Sequence, residues 1–588
     1  MPIHNPTTSH ENPFYRLPNK NLKVIFNDET ASSVKVCRLK NPTLLWLNIR
    51  VCTEDPQFHS LGRDISLYSD HLVKSCGFLI SDDQSLSEID LADETLAYVD
   101  RYGGSGIGTN GGSGRAAILN GYFVKGLGRT PLIGRGIDPT HASGGAYLEE
   151  SVRESIFSEI YGYEFPYASV PTIAIIDTGI VQEWNVNGFI KKERRVLLIR
   201  PNFIRPAHFE RALFHMSSNP TDGSIDASRV RCHVRKFEHI LGEKGFLDAV
   251  SDFFQKWSCQ LAYGYIHRIS LGGNTSSNIC LDGKILDFGA ASSLPSFASV
   301  TLVSNFKATG SEFDVVAHSI QNLFFYLRKF GNSRKYNSQN VAEIMSASWQ
   351  SYLNEFFVQS LRLCGLRKLS AESILTGPNG NKVKDILTNL NIKNKKISYD
   401  ILEFTPAVER STAMDQVWAT PTPKHFLQLR QVLEDNLQES EVEQCRFESN
   451  LKNISRPLLF REEMKSRIYN LAERKNLELS AANVNEIIRN EVVKNRRDAK
   501  YVPPSNSSIC GFALGENFSI LLISEQLSGK FFAAVEWASE ESYVAKFFFD
   551  AEMVLPTFNG LIEIYEMMDD GIVLKDSVLI KCTIKHYL

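Results

Sequence analysis

One stretch constrains this chain more than any other: NTSSNICLDGKILDFGA, residues 274–290. Asn278 and Asp287 stand nine residues apart, with Asp282-Gly283 between them. Asp-Gly between apolar runs is a strong signal for a tight hairpin, because both central turn positions take positive φ at low cost. A hairpin turning at 282–283 carries both oxygen-bearing side chains to its open end. An amide oxygen beside a carboxylate is the ligand type a magnesium-like cation takes from protein, with water and phosphate supplying the rest. The expectation is a fold in which this hairpin opens onto a charged cleft.

Three further elements precede the hairpin in a definite order. A glycine cluster, YGGSGIGTNGGSG, runs from Tyr102 to Gly114. After it, RAAILNGYFVKG reads as two short strands joined by Asn120-Gly121, with Lys125 near the end of the second. Residues 147–162, YLEESVRESIFSEIYG, place Leu148, Val152, Ile156 and Ile160 four apart and predict a helix bearing Glu154. VPTIAIIDTG and RRVLLIRPNF read as buried strands, and 228–266 and Phe313–Phe330 as helices. Nucleotide-dependent phosphoryl transfer uses these parts: glycines let backbone N–H groups approach phosphate, a strand Lys neutralises phosphate charge, and a helix Glu fixes the Lys. Asp287-Phe288-Gly289 is the DFG motif of protein kinases. The rival phosphate motif GxxxxGK[ST] is absent, and the glycine cluster leads into strands rather than the helix a dinucleotide fold requires. ATP with Mg²⁺ or Mn²⁺ is therefore the expected cofactor set.

The base of an ordinary kinase is missing. Its motif HRDxxxxN has as counterpart HRISLGGNTSSN, in which His267 and Arg268 lie eleven and ten residues before Asn278 and Gly273 lies five before. Loss of a general base costs about 10² to 10⁴ in rate. His267 is expected to be structural. Asp314, in FDVVAHS, is expected to tie down residues 266–274 through His267 or Arg268.

The motif set resembles the selenoprotein O family, kinase-fold enzymes that attach AMP to proteins. GSGRA at 112–116 is similar to its GDGRA motif, KGLGRTP at 125–131 to KGxGxTP, SGGAYLEESVRESIFSE at 143–159 to DGRAxLRxxIRExxxSE, and NTSSN…DFG at 274–289 to NTDN…DYG. The resemblance covers about 95–330, with a weaker likeness at FYRLPNKNLKVIFN. It implies an α+β, protein-kinase-like two-lobed fold and transfer of AMP to a protein or peptide hydroxyl. It implies an ion pair of Lys125 with Glu154, metal ligation by Asn278 and Asp287, and nucleotide contacts from Gly112, Gly114, Arg115, Ser143, Gly144, Arg200 and Arg205. The sequence departs from the family at Ser277, where the family has its proposed base, and at Ser143 and Gly145. Cys582 lacks the neighbours of the family's C-terminal redox residue. These departures touch turnover and substrate choice rather than nucleotide binding.

Length and composition set the frame. The chain has 588 residues, room for roughly 3 to 5 domains. A net charge of −3 gives no electrostatic case for a nucleic-acid or membrane-surface partner. The N-terminus lacks the apolar core of a signal peptide, and no apolar run reaches the length of a membrane span. Ten cysteines without a CxxC argue for a reducing, cytoplasmic compartment. The expected organisation is an N-terminal extension packing on the core (1–95), a nucleotide-binding N-lobe (96–225), a helical C-lobe with the metal hairpin (226–400), a helical region (401–501) and a small β-rich module (502–588). That last module, after the linker VPPSNSS, is the candidate docking point for a pathway partner. Two alternatives stay open: a catalytically inactive nucleotide-binding scaffold, and a dedicated peptide- or protein-modifying enzyme or phosphotransferase of a bacterial pathway.

Overall fold

Turn chemistry fixes the middle of the main sheet. Asn120 and Gly121 take φ of +50° and +91°, and the chain reverses there between β5 (Ala116–Leu119) and β6 (Tyr122–Lys125). The register pairs Ala116 with Lys125 and Leu119 with Tyr122. In a computed structural model of the chain, residues 32–549 are described apart from internal stretches, the longest being 294–311, 393–416 and 496–506. The expectations for residues 1–31 and for Cys582 lie outside the described residues.

The architecture is α+β. The strands β1 (Ser32–Leu39), β2 (Thr43–Leu47), β3 (Phe78–Leu79), β4 (Ile89–Val99), β8 (Ala174–Val186) and β9 (Phe189–Pro201) join β5 and β6 in one antiparallel sheet. Its order is β2-β8-β9-β6-β5-β4-β1-β3, and the short β7 (Ala146–Tyr147) pairs with β9. The boundary expected at residue 95 falls inside β4, which bonds to β1 on one side and β5 on the other. The strands β1, β2, β3 and β4 of this region are thus part of the sheet, not an extension packed on it. Sheet ladders carry no local sequence mark of a domain edge, and that misled the division.

Both faces of the sheet are covered. One face packs on α1 (Ile65–Cys76) through Tyr68, Leu72, Val36, Val124 and Leu197. The other packs on α2 (Leu148–Glu164), which supplies Val152, Ile156, Phe157 and Ile160. The helical part follows: α3 (Asp222–Ile266), broken at Gly242 with φ +67°, α4 (Glu312–Phe330), α5 (Ser338–Leu363), α6 (Lys368–Thr376) and α7 (Gly380–Ile392). The boundary expected at 225/226 falls inside α3. A separate apolar cluster joins α5, α6 and α7 to α8 (Leu427–Asn436), Trp418 and Cys445 of α9 (Glu439–Asn450). Strands β10 (Ser507–Leu514), β11 (Phe518–Glu525), β12 (Lys530–Trp537) and β13 (Ala545–Phe549) form a four-stranded antiparallel sheet in the region expected to be β-rich.

The helices between residues 461 and 495 do not stand apart from the core. The helices α10 (Arg461–Arg474) and α11 (Ala481–Asn495) lie on α2, and α11 also reaches β2. Met464, Ile468, Val484, Ile487 and Ile488 enter the same core cluster as Val152 and Ile156. Sheet, hairpin and C-terminal helices together bury the stretch Ser151–Tyr161 of α2 on all sides, including its polar residues Arg153, Glu154, Ser155 and Ser158. A helix buried all round has its position set by every neighbour it touches. Ile488→Ala, which leaves a cavity over α2, should cost about 2–5 kcal/mol. Hydrogen exchange read by mass spectrometry should show faster exchange in residues 148–164 before other segments; unchanged protection there would remove the coupling.

Candidate functional site

Strand alternation aims two cations the same way. Phe123 pairs with Arg200 across β6 and β9, so the two share a face, and Lys125, two residues on, shares it too. That face looks at α2. Glu154, fully buried, accepts from Lys125 Nζ through one carboxylate oxygen and from Arg200 at 2.5 Å through the other. The expected Lys125–Glu154 pair is thereby formed, and Arg200 joins it from the neighbouring strand.

One turn earlier on the same helix face, Glu150 accepts three further bonds. Its Oε1 accepts from Lys125 at 3.0 Å and from Arg115 at 2.6 Å, and its Oε2 accepts from Arg115 at 3.0 Å. Burial pushes the Glu150 carboxyl up, but the charges of Arg115 and Lys125 outweigh it and hold the group well below the usual carboxylate range. Arg115 also donates to the Gly145 carbonyl at 3.1 Å, which ties the loop after the glycine cluster to the entry of α2.

The hairpin forms as expected. Gly283 turns with φ +92°, Cys280 N–H donates to Lys284 O at 2.8 Å, and Leu286 N–H donates to Asn278 O at 3.1 Å. Asn278 therefore lies beside the residue preceding Asp287. Its amide nitrogen donates to Gly273 O at 2.8 Å, and its amide oxygen accepts from Ser277 Oγ at 3.4 Å, so the amide is oriented with its oxygen as the acceptor. Asp287 has φ +63° and is exposed at the open end of the hairpin. Desolvation by its neighbours pushes its carboxyl up, and the charges of Lys125, Arg115 and Arg200 more than offset this and lower it. Phe288 packs on Tyr161 of α2 at 5.3 Å between ring centroids, and Arg153 of α2 donates to Gly289 O at 3.2 Å. The hairpin and α2 are thus fastened to each other directly.

The glycine-bearing positions serve close approach. A Cβ on Gly112 would stand 2.4 Å from the Asp100 carbonyl oxygen, and Gly144, at φ +77°, would place one 2.1 Å from Arg129 N. Gly114 accepts from Thr130 N–H at 3.0 Å, and Ser143 Oγ bonds Tyr147 OH at 2.9 Å. The two segments meet where Gly128 N–H donates to Gly144 O at 3.1 Å.

Arg205 stands elsewhere than expected. It is buried, donates to Asp100 at 2.9 Å and to the Ser277 carbonyl at 2.7 Å, and lies over the Tyr102 ring at 4.3 Å. It braces the loop that delivers Asn278 rather than opening onto the cleft. Asp314 is exposed, and the buried acid of that turn is Glu312, whose charge bears on Arg268. His267, the expected structural residue, bonds Gln359 at 2.9 Å and stacks on Tyr263 at 4.1 Å.

Two acids escaped the sequence reading. Glu150 had a local signal, its i−4 spacing from Glu154. Glu210 had none: its carboxylate accepts from Asn322 at 2.7 Å, and a Cβ on Gly104 would come within 2.9 Å of it and 2.7 Å of Ser276 Oγ. No family model matches the chain, and no curated protein matches it.

Asn278 and Asp287 fit a hard divalent cation as one neutral and one anionic oxygen donor. Among the described residues no three His, Cys, Asp or Glu side chains gather into an all-protein metal cage. That is the donor set of a cation completed by water and phosphate.

Burial pushes the Glu210 carboxyl up to about 7, against hydrogen bonds from Ser276 and Asn322 and the charge of Arg229. The fold therefore favours the protonated acid. Its contribution is fully present below about 4.5 and is lost as pH rises through about 7. Glu210→Gln should flatten that part of the stability profile and gain up to ~3 kcal/mol over the parent at pH 8. Thermal melts from pH 4 to 8 read this; parallel profiles for the two proteins would contradict it.

Proposed function

We propose that the chain is an ATP- and Mg²⁺- or Mn²⁺-dependent nucleotidyltransferase of kinase-like two-lobed architecture. Its product is a protein or peptide bearing AMP on a hydroxyl. The observation that carries the reading is the sharing of Glu154 by Lys125 and Arg200 above the Asp287 hairpin. One buried carboxylate orients two cations, from adjacent strands, toward a cleft with an oxygen-rich floor. The glycine cluster joins β4 to β5, Lys125 ends β6, the third strand of that run, and the next long helix carries Glu154. Both features support the kinase-like arrangement, as does the likeness to the selenoprotein O family.

In this reading Arg115, Lys125 and Arg200 take the phosphates, and Arg supplies bidentate contacts that fix their orientation. A cation held by Asn278 and Asp287 would supply charge neutralisation at the phosphates. The acceptor hydroxyl oxygen bonds to the α-phosphorus, the α–β bridging bond breaks, and pyrophosphate leaves; the hydroxyl proton passes to water. Positioned charge lowers such barriers without a strong base. That matters here, because Gly273 offers only its carbonyl and Ser277 is buried against Thr275 at 2.7 Å.

The same two residues favour a second reading, a nucleotide-binding scaffold without turnover. ATP labelled at the α- or the γ-phosphate separates the cases. Protein-bound label from the α-position alone is the expected result. Label from the γ-position alone means phosphate transfer and overturns the proposal, and label from neither favours the scaffold. Asp287→Ala should lower metal-dependent nucleotide binding by about tenfold or more, since it removes the anionic ligand of the pair. Full retention would make the hairpin structural only.

A further inference from the structure

We infer that Glu150 is an internal competitor of phosphate: its carboxylate and an incoming phosphate oxyanion contend for the same N–H groups of Arg115 and Lys125. The inference rests on the nucleotide reading above and deepens it, by assigning a residue that sets the affinity of the phosphate subsite.

The two glutamates of α2 are not equivalent. Glu154 has both oxygens committed, one to Lys125 and one to Arg200, and its side chain is 0% exposed. It is the anchor. Glu150 keeps 19% of its side chain exposed and takes the cleft-side N–H groups of the same cluster. Arg115 offers it two parallel bonds, at 2.6 and 3.0 Å, and Lys125 a third at 3.0 Å. That fork is the geometry with which Arg recognises carboxylate and phosphate alike. A phosphate oxygen seeking Arg115 and Lys125 must meet the donors Glu150 already engages.

Charge points the same way. Arg115, Lys125 and Arg200 face Glu150, Glu154 and Asp287, three cations against three carboxylates. A polyphosphate adds negative charge to a balanced cluster, so its entry is favoured when one carboxylate withdraws. Glu150 is the one with a destination: it lies in the first turn of α2, where the positive end of the helix dipole still holds a carboxylate that has left its cations. The neighbouring Glu149 is tied to Arg153 at 3.0 Å and does not compete for that place in the cleft.

Glu150→Gln keeps the shape and loses the charge. Calorimetric titration with inorganic tripolyphosphate, and with ATP, should show about tenfold tighter binding to this variant than to the parent chain, while Glu154→Gln binds more weakly than the parent. Equal or weaker binding by Glu150→Gln, with Lys125-dependent ATP binding in the parent, overturns the inference and leaves the nucleotide reading standing. Tighter tripolyphosphate binding by Glu150→Gln, with ATP bound by neither protein, supports the inference and overturns the nucleotide reading. A structure of the parent chain with ATP tests the same point without a variant. The Glu150 carboxylate should lie more than about 4 Å from Arg115, beyond ion-pair distance, with a phosphate oxygen in its place. Retention of the Glu150–Arg115 pair beside bound phosphate overturns the inference.

Discussion

The structure around the cleft depends on one buried carboxylate. Glu154 sits between Lys125 and Arg200 with no solvent to share the load. A charge in such a place is tolerated only when paired and hydrogen-bonded, and removing one partner of a buried pair costs about 3–5 kcal/mol. Everything near it serves to keep the pairs in register. The β5–β6 turn sets where Lys125 ends, β9 places Arg200 opposite Phe123, and α2 must not rotate or slide. The fold answers the last requirement by burying α2 under the sheet, the Asp287 hairpin and the helices α10 and α11. A region more than three hundred residues downstream of Glu154 thereby takes part in holding it.

What could be read in the sequence follows from how local each signal is. Asn120-Gly121 and Asp282-Gly283 are turn chemistry confined to two residues, and both hairpins form where expected. The helix with Glu154 announces itself through Leu148, Val152, Ile156 and Ile160. Long-range packing leaves no such mark. Nothing in REEMKSRIYNLAER shows that Met464 would reach Val152's cluster, and nothing in the first 95 residues shows that β1 to β4 extend the same sheet. Asp314 and Glu312 are two residues apart on one helix; which of them turns inward depends on Arg268 and Tyr352, brought from two other elements. Arg205 fits a motif-based expectation equally well as phosphate contact or brace, and only the Asp100 carboxylate across from it decides.

The brace around Arg205 also explains how the site can keep its binding parts while lacking a base. Arg205, Asp100 and His208 form a buried set, with His208 Nε2 at 2.7 Å from Asp100 and Arg205 on the Ser277 carbonyl. Burial pushes the Asp100 carboxyl up, but Arg205 and His208 outweigh it and lower it, so the anion is held ready as their partner. The loop reaching Asn278 is fixed from behind by these contacts, independently of what residue 273 or 277 could do chemically. Binding geometry and proton transfer are therefore separable in this chain. On the nucleotidyltransferase reading proposed above, the first rests on a braced hairpin and the second passes to solvent.

The central claim is that the cleft at Lys125, Glu154 and Asp287 takes ATP together with a divalent cation. Isothermal titration of ATP into the full chain, with and without Mg²⁺, and into Lys125→Met, tests it most directly. The account predicts Mg²⁺-dependent binding by the parent chain and a loss of about tenfold or more in the variant, as befits removal of a charged phosphate contact from a buried cluster. Equal affinity in both proteins, or binding indifferent to Mg²⁺, would contradict it.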